Sequence, residues 1–173
     1  MNVALKTSPP MQSCVQSRIA DAYFYDAWQV NAAYPELAPL EQYIRVMQDT
    51  PKWLDSLMRL RNVLGGIVGL KDLGVFSEIE ANKPEASYSI GDRVGIFTLL
   101  ERHANEVLLG DEDKHLSVVV SVYMEEGGVS SATKVTITTC VHIKNCLGKL
   151  YMLPVTPVHY QVARRVTQAV GEV

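Results

Sequence analysis

The hydrophobic pattern of this chain changes its period near Gly91. From there to about residue 144, apolar residues alternate with polar ones, and short turn-forming stretches interrupt the alternation at regular intervals. In the last of these stretches one set of alternating positions is apolar and the other polar, so one face of the sheet is expected to contact a core. We predict antiparallel strands at 93–102, 106–110, 115–125 and 132–144.

Apolar residues recur at helical spacing both before and after this stretch. Pro39 begins a predicted helix that ends near Asp49, and Thr50 with Pro51 begins a second, which the glycine pair at 65–66 is expected to end. An aromatic strand is predicted before them, over 19–30. A final helix is predicted over 147–170, where Pro154 and Pro157 should bend or restart it.

The predicted order is therefore a strand, two helices, an antiparallel meander and one long helix. It lacks the alternating βαβ units of a doubly wound parallel sheet. We predict an α+β fold in which a curved antiparallel sheet wraps around the long C-terminal helix, with the two helices inserted after the first strand. A curved sheet over a single helix is expected to leave a cavity between them.

The chain has the length of one domain. Ser8, Pro9 and Pro10 fit neither a helix nor a central strand, so residues 1–15 are predicted to be a flexible N-terminal lead-in to a single domain over 16–173. Residues 75–89 show little periodicity and are interpreted as a surface loop.

Charge and cysteine content exclude several classes of protein. The 16 basic and 19 acidic residues give a net charge of −3, and a pI near 5.8 argues against a nucleic-acid partner. No apolar stretch reaches the roughly 20 residues of a membrane span, and the N-terminus does not resemble a secretion signal. Three cysteines without metal-ligand spacing indicate free thiols, no metal site and a cytoplasmic protein.

The order of elements resembles the helix-grip fold of the START-like superfamily. The sequence itself is similar to a bacterial family known only as domain of unknown function 2867, whose members occur alone or fused behind dehydrogenase-like domains. The matching stretches are 21–23, 60–62, 69–71, 91–97 and 106–110, with Pro51, Trp53, Leu57, Met58, Asp113, His115, Leu116, Asn145, Gly148, Tyr151, Pro157 and His159. The resemblance implies a fold but no activity.

Two polar groups are candidate catalytic sites. Asp113 and His115 lie in an acidic turn, where an acid–base pair or simple solvation are both conceivable. His142 and Asn145 end the last strand, where the histidine could contact a ligand or lie in solvent, and the asparagine could cap the final helix. The chain contains no GxGxxG, P-loop, GxSxG or HExxH motif, so no cofactor is predicted and ligand binding is favoured over catalysis.

Large apolar and aromatic residues could instead line a pocket or form ordinary core. The predicted ligand-binding set is Trp53, Leu57, Phe97, His115, Tyr123 and Tyr151. Three functions follow as hypotheses. The first is a protein that holds a small, largely apolar or amphipathic molecule between the C-terminal helix and the sheet. The second is a cyclase or dehydratase that uses a pocket histidine and a carboxylate. The third is a non-catalytic module that forms a homodimer or binds a dehydrogenase partner.

Overall fold

The computed structural model describes residues 2–67, 72, 74–75, 79, 83–128 and 131–172. Within this part of the chain, seven strands form one curved antiparallel sheet in the order β1-β2-β7-β6-β5-β4-β3. The strands are β1 Leu5–Thr7, β2 Phe24–Asn31, β3 Arg93–Val94, β4 Phe97–Arg102, β5 Glu106–Glu112, β6 Leu116–Glu125 and β7 Lys134–Ile143. The helices are α1 Gln16–Ile19, α2 Pro39–Gln48, α3 Lys52–Ile67 and α4 Cys146–Val170.

The predicted α+β class is confirmed: the C-terminal helix packs on a curved antiparallel sheet, and two helices follow the first long strand. The starts of α2 and α3 agree with the proline signals, and the meander of β4 to β7 agrees with the alternation. Residues 69–71 of the family pattern, and residues 76–78 and 80–82 of the predicted loop at 75–89, lie outside the described residues. A short 3₁₀ helix, Glu85–Ser87, forms near the end of that loop.

Two boundary predictions at glycines were wrong. α3 continues through Gly65 and Gly66 to Ile67, because a glycine costs only about 1 kcal/mol relative to alanine inside a helix. The strand predicted at 93–102 is divided into β3 and β4, since Gly95 has a φ of +62° and turns the chain between them. The predicted C-terminal helix forms as α4, which continues through Pro154 and Pro157.

One sheet face, the inner face, packs against α2 and α4. α4 crosses β2 and β7, whereas α2 lies over β5 and β6. The core between them is continuous and includes Tyr43, whose hydroxyl donates to the Val94 carbonyl over 3.3 Å. Other buried members of this core are Val30, Leu40, Ile44, Met47, Leu99, Val107, Leu109, Val122, Val135, Ile137 and Val170.

The opposite, outer face is also covered, by the N-terminal segment, residues 8–22. Val15 of this segment is fully buried against Leu108, Val119 and Cys140. The polar positions of the last strand are therefore not exposed: Thr136, Thr138 and Cys140 are buried, and Cys140 packs against Val15 of this segment. β1, in the region predicted to be a flexible lead-in, pairs with β2 as an edge strand.

Candidate functional site

A groove with a volume of about 390 Å³ opens between α3 and α4. Its lining residues in the described part of the chain all belong to these two helices, and most are apolar. Leu60, Leu147, Leu150 and Val158 of this lining are between 40% and 61% exposed. The described lining residues are Leu57, Met58, Leu60, Arg61, Gly65, Leu147, Leu150, Tyr151, Pro154, Val155, Val158, His159 and Val162.

The expected position of the ligand, between α4 and the sheet, is occupied by protein side chains. Val30 of β2 and Ile137 of β7 are buried there, and so is Val170 of α4. α4 lies directly on β2 and β7, so the helix leaves its open side toward α3 instead. The groove is thus between α3 and α4, not between α4 and the sheet as predicted.

The six residues predicted to bind a ligand are divided among separate places. Leu57 and Tyr151 line the groove. Trp53 is half exposed on α3, and Phe97 packs against the inner core. Tyr123 lies on the outer face, where its hydroxyl donates to Gln12 Oε1 over 3.2 Å.

The sixth residue, His115, is buried in the turn between β5 and β6. Its Nδ1 lies 3.1 Å from Asn145 Oδ1, and its Nε2 is buried with no hydrogen-bond partner among the described residues. Asp113 Oδ1 accepts the backbone N–H groups of His115 and Leu116. The acidic turn is therefore stabilised by its own carboxylate.

Asn145 is the N-cap of α4, which confirms the interpretation that it caps the final helix. Its Oδ1 accepts the N–H of Gly148 at 3.1 Å, and its Nδ2 donates to the Lys114 carbonyl at 2.9 Å. His142 lies on the outer face, opposite Ser117 in the register of β6 and β7. Neither His115 nor His142 is among the residues that line the groove.

The histidine that does line the groove is His159, which was not among the predicted site residues. Its Nε2 donates to Asp26 Oδ1 over 3.0 Å, and the Asp26 side chain is only 1% exposed. Trp28 Nε1 donates to the second carboxylate oxygen at 2.9 Å, and the Phe24 ring packs edge-on against the imidazole. A fixed carboxylate that orients an imidazole is an arrangement able to hold or move a proton.

Sequence reasoning missed this pair because its members are 133 positions apart. A local signal did exist. Asp26 and Trp28 are two residues apart in β2 and so point to the same face. An aspartate among aromatic strand residues needs a partner when it is buried, but the pattern does not say which helix supplies it.

Arg61 and Tyr151 supply a second polar contact at the groove. Arg61 Nε donates to the Tyr151 hydroxyl over 3.0 Å, and its guanidinium lies 5.6 Å from the centre of the tyrosine ring. Arg61 Nη1 also donates to Asn62 Oδ1 at 2.9 Å. Hydrogen bonding and stacking on an aromatic ring both reduce the freedom of the arginine.

A separate polar cluster lies under the N-terminal segment on the outer face. Glu106 is 1% exposed, and its carboxylate accepts from Ser13 Oγ, Ser121 Oγ and the Cys14 N–H at 2.5, 2.6 and 2.7 Å. Partial burial, followed by the negative charge of Glu106, raises the pKa of the Cys14 thiol. The hydrogen bond from Arg18 lowers the pKa of the nearby Glu101 carboxyl.

None of the described helices is both long enough and apolar enough to cross a membrane. No curated protein and no solved structure matches the chain. A family model described as a protein of unknown function (DUF2867) matches residues 18–166, which include strands β2 to β7, α3, most of α4 and the His159–Asp26 pair. The chain therefore belongs to the DUF2867 family.

Proposed function

We propose that this protein binds a small amphipathic molecule in the groove between α3 and α4. The observation that carries the proposal is the groove itself, a concave apolar surface of about 390 Å³ with three polar side chains in its lining. Ligand pockets have volumes of about 300–1,000 Å³, apolar walls and few polar groups. Membership of the START-like superfamily is part of the proposal, supported by a long C-terminal helix packed on a curved sheet.

Apolar burial would supply most of the affinity. At about 25 cal/mol per Å², removal of roughly 300 Å² of ligand surface from water contributes about 7 kcal/mol before the costs of ordering. That free energy corresponds to micromolar binding at best. The polar groups then select the orientation of the molecule, with its polar end toward Arg61, Tyr151 or His159 and its apolar part along Leu57 and Val155.

Titration with an environment-sensitive apolar fluorophore tests the proposal. Val155→Trp places a large ring in the groove and should weaken binding at least tenfold. Val63→Trp adds the same ring on α3 at an exposed position that does not line the groove, so its affinity should equal that of the wild type. Equal affinities for both variants, with unchanged circular dichroism, would refute binding in the groove.

The His159–Asp26 pair favours a second candidate, an enzyme that moves a proton on the bound molecule. Asp26 would stabilise the imidazolium formed when His159 accepts a proton from the ligand. Molecules that remain bound in native mass spectrometry can be incubated with the protein in deuterated water. Exchange that disappears in Asp26→Asn while binding persists would support catalysis, and binding without exchange would leave a carrier.

Exposed apolar side chains on the same helices favour a third candidate, a homodimer. Leu153 is 67% exposed and Val63 has the same exposure. If the surface is an interface between two copies, Leu153→Lys should abolish concentration-dependent association in sedimentation velocity. A monomer at all concentrations would exclude this candidate.

Three free cysteines support the further proposal that the protein works in the reducing cytoplasm.

A further inference from the structure

Three metal-ligating side chains meet on the outer side of the sheet, away from the groove. They are Cys14 of the N-terminal segment, Glu101 of β4, and His103 in the turn between β4 and β5. One ligand atom of each lies within 4.8 Å of the other two. The cluster therefore joins the N-terminal segment to a hairpin almost ninety positions further along the chain.

Hydrogen bonds to Glu106, which is itself buried, hold two of these residues in place. The Cys14 N–H donates to Glu106 Oε2 at 2.7 Å, and Glu106 is itself fixed by two serine hydroxyls. The His103 N–H donates to the Glu106 carbonyl at 2.8 Å. One buried residue thus positions both the sulfur ligand and the nitrogen ligand, as hydrogen-bonded supports do around metal centres.

The third residue already presents an oxygen to the histidine. Glu101 Oε2 lies 3.3 Å from His103 Nε2, while Oε1 accepts from Arg18 at 2.7 Å. Arg18 therefore binds one carboxylate oxygen of Glu101, and the other oxygen lies next to the imidazole of His103. The Glu101 and His103 side chains are 36% and 45% exposed, so small rotations can bring the three ligand atoms to the separation of about 3.5 Å that a tetrahedral ion requires.

The chemistry of the three ligands selects the ion. Thiolate sulfur and imidazole nitrogen favour borderline transition metals, whereas Ca²⁺ and Mg²⁺ require oxygen ligands. We propose that Cys14, Glu101 and His103 form a site for Zn²⁺ or a similar divalent transition ion, with water in the fourth position. The bound ion would tie the N-terminal segment to the β4–β5 turn and so stabilise the cover of the outer face.

Cobalt(II) titration in the presence of a phosphine reductant tests the site. Wild-type protein should bind one equivalent and show the visible bands of a tetrahedral ion, together with a sulfur-to-cobalt charge-transfer band. Cys14→Ser should lose the charge-transfer band and bind at least tenfold more weakly. Its fold should persist, because Cys14 is exposed and its contact with Glu106 uses the backbone N–H.

Matched variants make the result specific. Cys146→Ser removes another exposed thiol, at the start of α4, and should leave the cobalt spectrum unchanged. His103→Ala should weaken Co²⁺ binding at least tenfold while the sulfur remains available. Zn²⁺ should raise the melting temperature of the wild type and of Cys146→Ser, but not that of Cys14→Ser. A wild-type spectrum without the sulfur band, or equal binding by Cys14→Ser, would overturn the proposal.

Discussion

At the scale of single residues, Cys140 is the clearest case of a titratable group changed by its surroundings. It is fully buried in β7 beneath the N-terminal segment, and its thiol donates to the Arg18 carbonyl over 3.1 Å. Burial raises the pKa of this thiol from 9.0 to about 11. The thiol therefore stays protonated in the folded protein at pH values where it ionises in the unfolded chain.

The first prediction is a loss of stability at high pH. Between pH 9 and 11 the unfolded state releases the Cys140 proton and the folded state keeps it, so unfolding becomes more favourable as the pH rises. A difference of two pK units corresponds to a loss of up to about 3 kcal/mol. Cys140→Ala should be less stable at pH 7 but should lose less stability from pH 9 to 11, as measured by urea unfolding. Parallel pH profiles for both proteins would contradict the prediction.

Asn145 carries the second prediction, because one side chain serves three partners at the start of α4. Asn145→Ala removes the acceptor of the Gly148 N–H, the partner of His115 Nδ1 and the donor to the Lys114 carbonyl. We expect the free energy of unfolding to fall by about 1–2 kcal/mol. Asn145→Asp keeps the cap and should recover part of this loss. If Asn145→Ala unfolds at the same urea concentration as the wild type, the cap does not stabilise α4.

At the scale of elements, the starts of α2 and α3 were predictable and the cover of the outer face was not. Pro39 and Pro51 mark helix starts through the fixed geometry of their own rings, a local effect that the sequence displays directly. β1 has only three exposed residues and depends on pairing with β2. β1 therefore depends on a contact with residues that are distant in the sequence, and no local sequence pattern predicts such a contact.

The same division applies to the candidate site. The apolar spacing of α3 and α4 identified Leu57 and Tyr151, which do line the groove. The alternation of the strands selected Phe97 and Tyr123, which lie elsewhere, since apolar periodicity marks a buried face without saying which element covers it. The partner of His159 depends on where α4 crosses β2, which is a property of tertiary packing.

The third prediction concerns Glu106, which anchors the N-terminal segment to β5. Glu106→Ala leaves the Ser13 and Ser121 hydroxyls and the Cys14 N–H without their acceptor. Each unpaired buried donor is costly, and we expect a total loss of about 2–4 kcal/mol. Limited proteolysis should cut the segment at residues 8–22 faster than in the wild type.

Glu112→Ala provides the control for this change. Glu112 is on the same strand, but its side chain is 67% exposed and pairs with Lys144 at the surface. Exposed ion pairs contribute at most about 1 kcal/mol, so stability and proteolysis should stay close to those of the wild type. Equal cleavage of the Glu106→Ala and Glu112→Ala variants would show that the buried carboxylate does not anchor the segment.

At the scale of the whole molecule, the sheet has a cover on both faces, and the groove lies outside this three-layer arrangement. The inner face is covered by α2 and α4, and the outer face by the N-terminal segment. α3 packs against neither sheet face closely and leaves apolar side chains exposed along the groove. Occupation of the groove can therefore add stability without rearrangement of the core.

The fourth prediction follows from that geometry. A ligand that binds only the folded state at one hundred times its dissociation constant stabilises a protein by about 2.7 kcal/mol. For a chain of this size, that gain corresponds to a rise in melting temperature of about 5–10 °C. Saturating apolar probe should produce this rise in the wild type and in Val63→Trp, and should produce little or none in Val155→Trp. A similar rise in all three proteins would place binding elsewhere.

The beginning and the end of the described chain meet at one corner of the fold. The Ala4 N–H donates to Gln168 Oε1 at 2.7 Å, and Gln168 Nε2 donates to the Asn2 carbonyl. A short peptide linker could therefore join the two ends at a small entropic cost. Opening the chain instead at the exposed tip of the β4–β5 hairpin, Ala104–Asn105, would give a circular permutant with the same sheet and a different order of synthesis.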